Sequence, residues 1–236
     1  MERWLIPLGD AVVPEIVNRL AGGAGAEFVW RSQVGGLTFR CGDRYVKWYP
    51  TSSQIDLRRE RVRLDWISTR HPAPRVVDFG ADTGGQWLVT EALPGGYAVG
   101  PRWQSRSNEA IDAIATGLRA LHRIPIDDVP VEWASEGWAT RAPARLGPRP
   151  PIDDPVVVHG DACAPNTLIS TSGEWTGNVD FGDLTVGDRW ADLAVASLSL
   201  DWNFGEGHQQ QFFDSYGIER DEGRIAYYRA LWHAES

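Results

Sequence analysis

Along the chain the hydrophobic positions change period. Between residues 26 and 50, Phe28-Val29-Trp30 and Leu37-Thr38-Phe39-Arg40 flank Gly35-Gly36, and Cys41-Gly42-Asp43 leads into Arg44 to Tyr49. Short apolar runs separated by glycine turns predict a small antiparallel sheet. Ser53-x-x-Asp56 has the spacing of a capping box, and Ile55, Leu57, Val62, Leu64, Trp66 and Ile67 then recur with helical period, predicting a helix to about Thr69. His71-Pro72-Ala73-Pro74 ends it, because a residue before proline is pushed to an extended conformation. Two further strands are predicted over 76–80 and 86–93, around a turn at Asp82 to Gly85, before Pro94-Gly95-Gly96 breaks the pattern.

From there the period becomes helical. Ile111, Ile114, Leu118 and Leu121 sit at i, i+3, i+7 and i+10, an amphipathic helix running to about His122. Residues 125–155 are rich in Pro, Arg, Asp and Trp, and beyond one short helix near 133–141 they have no sustained period. A stretch of this kind covers a site or moves. Val156-Val157-Val158, Thr167-Leu168-Ile169 and residues 175–179 predict strands, and helices are predicted over 188–200, 207–216 and 221–233. This order of elements predicts an α+β chain in two parts, residues 1–94 with the antiparallel sheet and residues 95–236 mainly helical.

Composition narrows the class. With 236 residues, 42% of them hydrophobic and 23% charged, the chain can bury a core as a soluble protein does, and its twelve Trp read as core or cleft wall. Met1 to Pro7 lack the basic and apolar segments of a leader, and no apolar run is long enough to span a bilayer, so the sequence predicts a cytoplasmic protein without a membrane partner. Cys41 and Cys163 are too few for a disulfide framework and read as inert packing residues. A net charge of −9 argues against a nucleic-acid partner and is compatible with a cationic small molecule. Of 23 basic residues, Lys47 is the only lysine.

That lysine heads a set of residues suited to phosphoryl transfer, which needs phosphates held by a cation, Mg²⁺ fixed by oxygen ligands, and an acidic group to position the nucleophile. Lys47 lies in a strand and shares a face with Tyr45 and Tyr49. Glu60 on the following helix can pair with it, although Arg58, Arg59, Arg61 and Arg63 compete for the same carboxylate. His159-Gly160-Asp161 follows an apolar strand and places Asn166 five residues after Asp161, the offset of the kinase catalytic loop; a second strand then delivers Asp180-Phe181-Gly182. One carboxylate and one amide oxygen beside ATP phosphates meet the preference of Mg²⁺, which leaves Asp161 for the acceptor hydroxyl. Either tripeptide alone occurs in unrelated loops. Both after strands, downstream of Lys47 and Glu60, make coincidence a poor explanation.

These residues resemble a known family. Val156 to Ile169, Asn178-Val179-Asp180-Phe181-Gly182 and Gly187-Asp188-Arg189-Trp190-Ala191-Asp192-Leu193-Ala194 are similar to the aminoglycoside 3'-phosphotransferases, as are Tyr45-Val46-Lys47, Arg59-Glu60 and the stretch from Phe212 to Tyr228. The resemblance implies a two-lobed protein-kinase-like fold and an ATP- and Mg²⁺-dependent kinase acting on a hydroxyl of an aminoglycoside. It implies that Asp161 is catalytic, that Asn166 and Asp180 hold Mg²⁺, that Lys47 binds the α- and β-phosphates and Glu60 orients it, that Tyr45 stacks on adenine, and that Thr90-Glu91-Ala92 form the hinge. Asp188 and Asp192 are read as braces of the catalytic loop by helix capping, and His159 as scaffold. Glu132, Glu136, Asp201 and Glu206 are candidates for an acidic substrate wall. Two departures bear on the acceptor: His233 stands where the family often has a tail carboxylate, and the stretch from His122 to Val158 is shorter than the family's helical insertion. A kinase of another hydroxylated small molecule and a non-catalytic nucleotide-binding pseudokinase are the alternatives.

Overall fold

Why the first half becomes a sheet is visible in its register. A computed structural model describes residues 11–235; Met1 to Pro7, where no leader is predicted, lie outside the described residues. A short helix α1 (Glu15–Ala21) precedes β1 (Glu27–Arg31), β2 (Leu37–Cys41) and β3 (Arg44–Pro50); then come α2 (Leu57–Ile67), β4 (Val76–Ala81) and β5 (Gly85–Glu91). All pairings are antiparallel, in the order β1-β2-β3-β5-β4. Leu37, Phe39, Cys41, Val46 and Val89 are buried with Val17 and Ala21 of α1, so one face of the sheet is sealed by that helix. Sequence period did not announce α1, whose seven residues are too few to carry one.

The capping expectation needs correcting. Asp56, not Ser53, is the N-cap of α2, and its carboxylate accepts the N–H of Arg58 at 3.0 Å. Ser53 instead accepts the N–H of Ile55 in the preceding turn. Starting at Leu57 rotates the buried stripe onto Leu57, Glu60, Leu64 and Ile67, leaving Ile55 and Val62 exposed. A glutamate thereby falls on the inner face.

The remaining chain forms the second unit. It contains β6 (Gly96–Tyr97), α3 (Pro101–Gln104), α4 (Ser107–Leu121), α5 (Trp133–Glu136), β7 (Val156–Val158), β8 (Thr167–Ile169), β9 (Trp175–Asn178), β10 (Thr185–Gly187), α6 (Trp190–Phe204), α7 (Gln209–Tyr216) and α8 (Glu222–Glu235). Two compact units result: residues 11–69 with Ala73–Leu93, and Arg70–Pro72 with residues 94–235. Its core is built round α6, where Ala191, Leu193, Ala194, Val195, Ala196 and Leu200 are buried on all sides, as expected of a helix at the centre of a domain. Ile111, Ile114, Leu118 and Leu121 of α4 are buried in or beside it. Gly117 on the same helix admits the indole of Trp175, since a Cβ there would lie 2.6 Å from Nε1. Residues 122–155 hold α5 and two 3-10 turns in place of the longer helix expected near 133–141. The short strands β6 and β10 were not expected; both follow glycine- or aspartate-rich turns that hide a two- or three-residue ladder. Among the described residues no helix is long and apolar enough to cross a membrane.

Candidate active site

In the first unit, strand and helix make one ion pair. Lys47 of β3 lies between Thr38 of β2 and Leu88 of β5, and its Nζ donates to both carboxylate oxygens of Glu60 at 2.7 and 2.8 Å. With side chains only 19% and 10% exposed, the pair is largely shielded from water, so removing either partner would leave a buried charge uncompensated. Of the neighbouring arginines, Arg63 donates to the Arg59 carbonyl and Arg61 pairs with Asp65. Tyr45 lies across the ladder from Thr90. Glu91 and Ala92 donate their N–H groups to the carbonyls of Arg75 and Asp43, so both donors are engaged within the unit.

In the second unit, β7 ends at Val158, His159 follows, and the chain turns through Gly160, whose φ of 86° a side chain rarely adopts. A Cβ there would lie 2.3 Å from the Asp183 carbonyl oxygen, so glycine is required twice over. His159 is held at three points: its N–H donates to Asp192, its Nε2 donates to the Val179 carbonyl at 3.0 Å, and its Nδ1 accepts the N–H of Asp161. The ring lies 4.6 Å from that of Phe181. It is a frame for the loop, as the sequence suggested.

Asn166 closes the loop on Asp161. Its Nδ2 donates to the Asp161 backbone carbonyl at 2.9 Å and to the carboxylate at 3.0 Å. Because a carbonyl can only accept, the amide orientation is fixed and Oδ1 is its other end, a hard oxygen suited to Mg²⁺. Asp180 follows β9 in the left-handed region with φ 68°, alone among the described non-glycine residues. Such strain concentrates at functional sites. Burial first, and the neighbouring Asp180 charge second, raise the Asp161 carboxyl above the ordinary carboxylate range; a hydrogen bond from Cys163 and the nearby His159 pull the other way. Among the described residues no three His, Cys, Asp or Glu side chains form a metal cage.

Asp192 is the brace beneath this loop, though not as a helix cap. Fully buried on α6, it accepts the N–H of His159 at 2.6 Å and of Gly160 at 3.0 Å, and Nε2 of His122 at 3.0 Å; the other His122 nitrogen faces the Tyr216 hydroxyl at 2.7 Å. Asp188 does serve the helix start, accepting the N–H of Trp190, and its second oxygen binds Arg224 and Tyr228 of α8. The part played by His122 had no signal in the sequence beyond its place at the end of α4. Cys41 and Cys163 are free thiols pushed upward by burial, Cys163 well above the usual value, in keeping with inert residues.

The proposed substrate carboxylates lie on separate elements. Glu132 and Glu136 are exposed at the two ends of α5, which packs on β10. Asp201, on α6, is bound by Gln209 at 2.5 Å, and Glu206 is exposed in the turn that follows. His233 is exposed on α8 with its ring against Trp232.

Comparison with known proteins adds the lineage. The family described as "Phosphotransferase enzyme family" matches residues 16–149 and 137–228, most of the chain, including Lys47, Glu60, Asp161, Asn166 and Asp180. The chain belongs to the aminoglycoside phosphotransferase family. This phosphotransferase is 34% identical over 219 residues to an aminoglycoside 3'-phosphotransferase of Streptomyces fradiae, covering 77% of the chain and 81% of the relative. It is 30% identical over 270 residues to streptomycin 3''-kinase of Streptomyces griseus, covering 95% and 96%. Its fold is similar to that of aminoglycoside phosphotransferase APH(3'')-Id from Streptomyces rimosus, with a TM-score of 0.72, 28% identity and coverage of 92% and 94%. The kinase-like α+β fold expected from the sequence is therefore present. An alignment of 270 positions that covers 95% of this shorter chain means that the streptomycin kinase carries segments absent here. The two matched segments overlap over 137–149, in the irregular stretch between α4 and β7.

Proposed function

We propose that this phosphotransferase moves the γ-phosphoryl group of ATP to a hydroxyl of an aminoglycoside, with Mg²⁺ as the metal. The observation that carries the proposal is the Asp161–Asn166 pair: one amide holds the carboxylate in place and offers its oxygen to a metal. Asp161 takes the hydrogen bond of the acceptor hydroxyl and accepts its proton as the oxygen attacks phosphorus. Oδ1 of Asn166 and the carboxylate of Asp180 hold Mg²⁺, which supplies neutralisation of phosphate charge when bound. Lys47 holds the α- and β-phosphates, and the two-oxygen grip of Glu60 keeps its ammonium in one place. Tyr45 offers a face for adenine. With the Glu91 and Ala92 N–H groups engaged, the base edge meets other backbone groups of the segment from Thr90 to Ala92. Residues 1–94 serve the nucleotide and 95–236 the chemistry and the acceptor. Two free cysteines suit a reducing cytoplasm.

The acceptor class rests on the named relatives, among them the Streptomyces rimosus enzyme solved with ADP and streptomycin. Glu132, Glu136, Asp201 and Glu206 supply acidic groups for a polycation. One observation favours a second reading, a different hydroxylated acceptor: the alignment to the streptomycin kinase runs to 270 positions while covering 95% of this chain, so segments of that relative have no counterpart here.

Coupled ADP release across a panel of streptomycin-, kanamycin- and neomycin-type compounds, with mass spectrometry for an added phosphate, tests both readings. Turnover of at least one compound is expected, with affinity falling steeply as salt rises, since exposed charges are screened beyond about 8 Å at physiological ionic strength. Turnover confined to neutral hydroxylated compounds selects the second reading. Nucleotide binding without transfer to any acceptor selects a non-catalytic module.

A further inference from the structure

We propose that His71 is a positioning residue for the metal end of the active site, orienting Asn178 and, through it, the two residues Asn166 and Asp180; this rests on their assignment as Mg²⁺ ligands above. His71 lies in Arg70–Pro72, the segment that belongs with residues 94–235 although the chain on either side of it does not. It is 5% exposed, so it meets no substrate directly.

Its Nε2 donates to Oδ1 of Asn178 at 3.0 Å, and that oxygen also accepts Nε1 of Trp175 at 3.0 Å. The N–H of Asn178 donates to the carbonyl of Pro72 at 3.0 Å, so the neighbour of His71 grips the same residue through the backbone. Two ring donors on Oδ1 leave Asn178 one orientation, with Nδ2 directed at Thr167 Oγ1 at 3.2 Å and at the Asn166 carbonyl at 3.4 Å. The same carbonyl accepts the N–H of Val179 at 3.0 Å. Asn166 is therefore fixed from residues 178 and 179, while its side chain fixes Asp161.

On the other side of Asp180, the ring of Phe181 stands edge-on to His71, with centroids 6.0 Å apart and planes at 84°. His71 thus touches the residue two before Asp180 by a hydrogen bond and the residue after it by ring packing. Between these two points the backbone takes its left-handed turn. A residue needed only to fill this space would be apolar. Burial holds the His71 ring neutral, with its pKa lowered to about 4, and a neutral ring with its proton on Nε2 is the donor that Asn178 requires.

Partners that orient metal ligands typically contribute about 10- to 100-fold in metal affinity. Mg²⁺ is titrated at fixed ADP, reading the nucleotide-dependent rise in unfolding temperature and, independently, the electron paramagnetic resonance of bound Mn²⁺. His71→Leu, which keeps bulk and loses the donor, is expected to raise the half-saturating metal concentration about 10-fold with acceptor KM unchanged. His71→Gln, which retains an N–H, should recover most of it. A half-saturation within twofold of wild type in folded His71→Leu overturns the proposal. Should His71→Leu not fold, His71→Phe keeps an aromatic ring against Trp175 and Phe181 and loses the donor, and an unchanged metal requirement there overturns it equally. Asp180→Ala separates the two levels. If it keeps wild-type metal dependence, the ligand assignment falls and this proposal with it; if it loses that dependence while His71→Leu does not, only the role of His71 falls.

Discussion

Asp161, the carboxylate proposed to take the acceptor proton, sits on a side chain whose position is set by others. Its carboxylate is pinned by Asn166, its N–H by His159, and its proton affinity is raised by burial and by Asp180. Asp161→Ala leaves Lys47, Glu60 and Asp180 in place, so kcat is expected to fall by about 10² or more while ATP binding stays nearly intact; a variant keeping half of wild-type kcat in steady-state assays would sink the assignment. At this scale the sequence was legible wherever spacing reports chemistry. The five-residue offset from Asp161 to Asn166 and the single lysine were enough to select the residues that the fold brings together within each unit. His71 and Asn178 were not legible, because their contact spans 107 positions and neither belongs to a motif. Nor could charge alone rank the carboxylates: Asp201 is tied to Gln209, while Glu206 is exposed.

Elements set the catalytic loop through α6. Asp192 accepts from three buried donors at once, the N–H groups of His159 and Gly160 and the ring of His122. Asp192→Ala strands all three in a site without solvent, and losing one member of a buried charged network typically costs about 3–5 kcal/mol. Urea unfolding should register that loss, with activity falling in the fraction that remains folded; a change below about 1 kcal/mol would mean that the network is no stronger than a surface pair. A long amphipathic element such as α4 was readable because its apolar face persists over four turns. Those that escaped were α1, β6 and β10, where seven, two and three residues leave no period to read. The start of α2 was misplaced because Ser53 and Asp56 both offer cap chemistry. The choice went to Asp56, whose carboxylate reaches the Arg58 N–H.

For the whole molecule, pH stability follows from the same buried histidine. The His71 pKa is near 6.5 in an unfolded chain and about 4 when folded, so the unfolded state takes up a proton first. Stability is fully present above about pH 6.5 and is lost progressively as pH falls toward about 4, by up to about 3 kcal/mol at 1.4 kcal/mol per pH unit. Raised Asp161 acts in the opposite sense, so the clean readout is a difference. His71→Gln should flatten unfolding free energy against pH by about one proton's slope between those limits, measured by denaturant titration at several pH values; an unchanged slope would assign the acid sensitivity elsewhere.

Because Arg70–Pro72 complete the unit otherwise made by residues 94–235, the chain is interleaved and not laid out as two consecutive halves. On the ribosome, His71 and Pro72 emerge long before Asn178, and closing a loop of that length is entropically unfavourable until β9 exists to receive them. The strand that leads to Asp180 is therefore assembled late, from a segment made early. A chain shortened to begin after residue 93 would lack that segment, leaving the carbonyl end of Asn178 with only Trp175 to hold it. The orientation of Asn178 therefore waits for both segments, and a chain that ends before residue 178 does not hold the pair together.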